Sequence, residues 1–90
     1  MYYTGICPAC EQGALGLRIC SSQLDLVILC DECDALWISS DTSVSPVFPE
    51  QPDLPCPSCK GNLSEPPAHW AGLGEIYERG WLNCVRGMAD

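Results

Sequence analysis

Positive charge is what this chain has least of. Four of its ninety residues are basic, Arg18, Lys60, Arg79 and Arg86, against twelve acidic ones, and the formal net charge is −8. Nucleic-acid binding draws most of its affinity from Lys and Arg on phosphates. Four scattered bases make no phosphate track, so DNA and RNA are disfavoured and a basic protein surface is the favoured partner. Histidine is scarce too. His69 stands alone, no glycine-rich phosphate loop accompanies it, and the chain reads as non-enzymatic. Long apolar runs are also missing. No segment approaches the roughly 20 apolar residues that cross a bilayer. The start, MYYTGICPAC, lacks the basic opening and apolar stretch of a signal peptide. A cytoplasmic chain without a membrane segment is expected.

Cysteine is what the sequence has in plenty. A chain of this length buries only about 60% of the surface its unfolded form exposes, and scaffolds this small usually need a metal, disulfides or a partner. Six of the eight cysteines fall into C-x2-C pairs: Cys7 with Cys10, Cys30 with Cys33, and Cys56 with Cys59. Cys20 and Cys84 stand apart. In a reducing compartment such pairs mean metal or redox chemistry more often than disulfides.

Along the chain, residues 1–40 read as a compact β unit. In ALGLRIC, Leu15, Leu17 and Ile19 alternate with Gly16, Arg18 and Cys20, the period of a strand. After a polar break, LDLVILC sets Leu24, Leu26 and Ile28 on one face, so the two runs make a hairpin. ALWI adds a third short strand. Residues 41–55 form a proline-rich spacer, with prolines at 46, 49, 52 and 55. That three-residue period is that of a polyproline II helix, read as a semi-rigid spacer or as a ligand for a proline-recognition domain. Residues 56–90 open on the third cysteine pair. HWAGLGEIYERGW then reads as one short helix over 70–79, with Leu73, Ile76 and Tyr77 as its apolar stripe and Gly80 as its stop.

Three chemistries use a C-x2-C pair. A metal knuckle needs two thiolates from one tight turn, and two knuckles joined by a hairpin give a tetrahedral four-thiolate site. Nineteen residues separate Cys10 from Cys30, room for two strands and a turn, so Cys7, Cys10, Cys30 and Cys33 are the expected ligands. A dithiol redox centre needs its pair at a helix N-terminus within a βαβ unit. CPSC has that look, but Gly61 and the Pro66-Pro67 pair interrupt a helix after it. An iron electron carrier accords with the acidity.

The motifs CPAC and CDECDALW resemble the zinc-ribbon families over residues 6–38. The second is similar to the C-terminal knuckle of small acidic bacterial ribbons of the CxEC-x3-W kind, some of which look like immunity proteins that block a cognate toxin; the rival class is a transcription-associated, nucleic-acid-binding zinc ribbon, which a basic patch would favour. The resemblance implies zinc on Cys7, Cys10, Cys30 and Cys33, with Trp37 packed below it. One departure stands out. Rubredoxin and many ribbon knuckles place glycine just after the second cysteine, where this chain has Glu11, Asp34 and Lys60. The fold expected is thus a small metal-stabilised α+β unit: an N-terminal zinc-ribbon hairpin, a spacer, and a second knuckle with one helix.

Cys56 and Cys59 need further ligands, and His69, Cys84 and Cys20 are the candidates. A second site of Cys56, Cys59, His69 and Cys84 is within reach if residues 81–84 run back along the helix. Cys20 and Cys84 otherwise read as buried small hydrophobes. One zinc is expected from the first set, and a second requires the third pair. Asp31, Glu32 and Asp34, carried on a metal-held turn, form the candidate partner-binding face.

Overall fold

The computed structural model describes residues 1–22, 25–51, 53–57 and 61–89. The expectations placed on Leu24, Pro52, Cys59 and Lys60 lie outside the described residues. The chain forms β1 (Tyr2–Ile6), β2 (Ala14–Ile19), β3 (Leu26–Cys30), β4 (Leu36–Trp37), β5 (His69–Trp70), α1 (Leu73–Glu78), a single 3-10 turn (Leu82–Cys84) and β6 (Gly87–Met88). The strands join one antiparallel sheet in the order β4-β3-β2-β1-β6, with β5 also paired to β2. Among the described residues, no helix is long and apolar enough to cross a membrane.

The alternation read in the sequence sets the register. Leu15 pairs with Cys30, Leu17 with Ile28 and Ile19 with Leu26. These residues build one buried cluster with Cys7, Trp37, Ala71 and Ile76. β3 is buried along its whole length because its other face is covered too. Val27, Leu29 and Leu36 pack with Leu54, Cys56 and Leu63 in a second cluster. Successive residues of β3 point to opposite faces, so α1 covers one side of the sheet, and Leu54, Cys56 and Leu63 cover the other. All three stretches separated by composition therefore contribute to one sheet and its two covers.

The proline-rich stretch does more than space. Val47 exchanges both backbone hydrogen bonds with Leu36, at 2.8 and 3.0 Å, and Trp37 Nε1 donates to the Val44 carbonyl at 2.8 Å. The stretch thus caps the outer edge of β4, where unpaired amides would otherwise invite another strand. It is not one polyproline helix. A turn closed by Leu54 N–H on Glu50 O, with Leu54 at φ 51, breaks the period.

α1 is shorter than the pattern predicts. Trp70 leaves it to pair with Arg18 as part of β5, and the Arg18 guanidinium lies 4.7 Å from the centre of the Trp70 ring. Gly80 does stop the helix. At φ 76 its N–H bonds Tyr77 O while Trp81 N–H bonds Ile76 O, the paired closure of a Schellman motif. Ile76 is fully buried, whereas Tyr77 is 70% exposed. Tyr77 therefore leaves the apolar stripe, as does Leu73, also exposed, and of the three only Ile76 packs in the cluster with β2 and β3.

Candidate metal centre

Two backbone turns build the site. The first runs from Cys7, whose N–H bonds Gly13 O at 2.8 Å; the second runs from Cys30, whose N–H bonds Ala35 O at 2.9 Å. The β2–β3 pairing brings them together: Leu15 lies opposite Cys30, so the end of the first turn meets the start of the second. Two further bonds lock them. Asp31 N–H donates to Ala14 O at 3.1 Å, and Ala14 N–H donates back to Asp31 Oδ1 at 2.8 Å.

The result gathers the thiols of Cys7, Cys10, Cys30 and Cys33 within 4.8 Å of one another. Cys7 and Cys33 sulfurs are 3.8 Å apart, and those of Cys10 and Cys30 are 3.7 Å apart. Four sulfurs each about 2.3 Å from a tetrahedral metal would stand about 3.8 Å apart. A disulfide would bring two of them to about 2.05 Å. The spacing is that of a cage for a metal ion, and the four residues could hold one.

Backbone amides aim at the sulfurs. Ala9 N–H points to Cys7, Gly13 N–H to Cys10, and Glu32 and Cys33 N–H to Cys30, each at 3.4 Å. The Gly13 and Gln12 amides draw the Cys10 thiol down to about 7. Burial acts the other way on its neighbours, pushing Cys30 up to about 12 and raising Cys33. Four thiolates cannot share this pocket unless a cation offsets them, and a metal ion would supply that charge.

The missing glycines prove no obstacle. Glu11 and Asp34, the residues just after the second cysteine of each turn, sit at φ 60 and φ 64. Both take the left-handed backbone that glycine usually provides there. For a non-glycine residue this costs about 1–2 kcal/mol, less for Asp, which tolerates it better. Glu11→Gly is therefore expected to stabilise the chain. Glycine's greater freedom when unfolded takes back part of the gain, leaving about 0.5–1 kcal/mol and a rise in Tm of several degrees. A lower Tm in the variant would show that residue 11 carries no such strain.

The acidic trio divides. Asp31 is tied into the lock described above, and Asp34 accepts a hydrogen bond from the Gln51 amide. Both serve the fold as well as the charge. Glu32, with Glu11 on the neighbouring turn, is exposed.

The expected grouping of Cys56 with His69 and Cys84 does not form. Cys84 packs against the cluster under α1 and donates its S–H to Trp81 O at 2.9 Å, with burial raising its pKa. Cys56 lies in the cluster on the other side of the sheet. His69 is held in β5, Nδ1 against Pro67 O at 2.7 Å and Nε2 against the Glu75 carboxylate at 2.9 Å. The Pro67 carbonyl and Glu75 both raise its pKa. Cys56 instead meets Cys20 and Asp25. Asp25 carried no expectation; the polar break after Cys20 was the available hint.

No protein-family model, no characterised protein and no solved structure matches this chain.

Proposed function

We propose that the chain is a non-catalytic, zinc-stabilised protein-binding module of zinc-ribbon type that docks on a basic protein, as an inhibitor or immunity protein does on its toxin. One observation carries the reading. Four cysteines from two facing turns stand at tetrahedral sulfur spacing, so the chain fills every corner. A zinc site closed in this way is structural, whereas catalytic zinc keeps a position open. Charge supplies the partner class. With a net charge of −8, and with Arg18 committed to Trp70 and to the Leu63 carbonyl, the surface suits a cationic protein better than phosphate.

The test uses Glu11→Lys/Glu32→Lys, which leaves the Asp31 lock in place. A partner is recovered from the native source by affinity capture, and association is then timed against salt. The wild-type rate should fall as salt rises, and the double variant should lose about tenfold at low salt. Equal rates would move the interface away from the two turns. Tight, salt-sensitive binding of DNA or RNA would overturn the reading altogether.

A rubredoxin-like iron carrier is the second reading, favoured by the left-handed turns at Glu11 and Asp34 and the amides aimed at sulfur. Elemental analysis and the colour of the purified protein separate it from zinc.

A further inference from the structure

The hydrogen bonds that build the metal centre recur elsewhere in the molecule. At the centre, one turn closes from Cys30 N–H to Ala35 O and another from Cys7 N–H to Gly13 O. At the opposite end of the β2–β3 hairpin, a turn closes from Cys20 N–H to Asp25 O at 3.2 Å, spanning five residues as the Cys30 turn does. Facing it, a turn closes from Cys56 N–H to Gly61 O at 2.7 Å. A bridge between Ile6 and Ala14 flanks the Cys7 turn, and a bridge between Pro55 and Asn62 flanks the Cys56 turn.

The lock between turns is copied as well. At the centre, Asp31 N–H bonds Ala14 O, and Ala14 N–H returns to the Asp31 side chain. Here Ser21 N–H bonds Asn62 O at 2.9 Å, and Asn62 N–H returns to Ser21 Oγ at 2.9 Å. Asp31 follows Cys30 as Ser21 follows Cys20; Ala14 follows Gly13 as Asn62 follows Gly61. Position for position, Cys20 stands where Cys30 stands and Cys56 where Cys7 stands.

The ligating atoms of Cys20, Asp25 and Cys56 lie within 4.8 Å of one another. Both cysteines are buried, at 0% and 1% exposure. Two thiolates and a carboxylate are a donor set that suits a borderline divalent cation of the zinc class. We infer that Cys20, Asp25 and Cys56 bind a second metal ion in a degenerate copy of the first site. Gln23 occupies the sequence place corresponding to Cys33, and the Asp25 carboxylate supplies the anion that this change removes. The fourth corner is left to a further donor. The ion fastens Cys56 over the second face of the sheet, where Leu54 and Leu63 also pack. The inference is independent of any partner.

The experiment loads the full chain with Zn²⁺ and counts ions by native mass spectrometry, with a Co²⁺ titration followed by its thiolate absorption. The wild type should hold two ions, and Cys20→Ser and Cys56→Ser one each. Because a serine variant could misfold, Asp25→Asn is the second arm. It keeps both thiols, and it should fold and bind the second ion at least about tenfold more weakly. A wild type that saturates at one ion overturns the inference. So do two ions retained in Cys20→Ser, or undiminished affinity in Asp25→Asn.

Discussion

Stripping the metal from Cys7, Cys10, Cys30 and Cys33 is expected to unfold the chain. Structural zinc contributes on the order of 10–16 kcal/mol of folding free energy in comparable peptides at neutral pH. A domain's whole stability is about 5–15 kcal/mol. The cluster under α1 has Cys7 and Cys30 among its fully buried members, so the ligands are also core residues. Without a cation the turns lose their common anchor, and the sheet loses the junction between β1, β2 and β3. A strong chelator, or Cys33→Ser, should abolish the β-sheet circular dichroism and expose Trp37, which is 2% accessible. Acid should act in the same direction, since protons compete with the metal for thiolates. A metal-free chain with native-like dichroism and buried tryptophan fluorescence would refute the claim.

Gly13→Ala is expected to have the next largest effect. A Cβ at Gly13 would lie 2.4 Å from Cys30 Sγ and 2.9 Å from Glu32 Cβ. The sulfur cannot retreat, because its position is one corner of the cage. Overpacking of this kind costs about 1–3 kcal/mol. Here the cost falls on ligand geometry, so a loss of about 3 kcal/mol would appear as roughly a hundredfold weaker metal binding. Competition against a chelator of known affinity measures it. Gly74→Ala is the control. Nothing lies within 4 Å of a Cβ there, and within α1 the change should stabilise by up to about 1 kcal/mol. Equal metal affinity in wild type and Gly13→Ala would mean that the two turns do not approach as closely as described.

What could be read from the sequence was local. The strand period of Leu15, Leu17 and Ile19 and the knuckle spacing around the hairpin each depend on neighbours a few residues away, and both appear in the sheet and the four-cysteine cluster. Gly80 stops α1 for an equally local reason. The misplaced residues depended on long-range pairing. Whether His69 begins a helix or joins a sheet depends on β2 offering an edge beside Arg18, and no spacing within residues 69–84 contains that information. Once Trp70 pairs with Arg18, His69 is held by Pro67 and Glu75, and Cys84 falls on the opposite side of the sheet from Cys56. The glycine rule failed differently. A residue type marks a backbone conformation only when alternatives are too costly, and Glu11 and Asp34 show that a metal-sized cage can be built over about 1–2 kcal/mol of left-handed strain.

The pairing of β1 with β6 has a mechanical meaning. Met1 and Ala89 bond each other in both directions, the terminal ammonium to Ala89 O at 2.7 Å and Ala89 N–H to Met1 O at 2.8 Å. Tyr2 then lies opposite Met88 and Tyr3 opposite Gly87. A force applied between Met1 and Ala89 would therefore load these rungs one at a time, like a zipper opened from its end, rather than shearing them together. Peeling would be soft along these β1–β6 rungs; drawing β1 from β2 would then carry the load to Cys7, where a bound ion would tie the chain to the second turn. Tension would rise there in a single step, and the height of that step in a pulling trace would measure how firmly an ion is held.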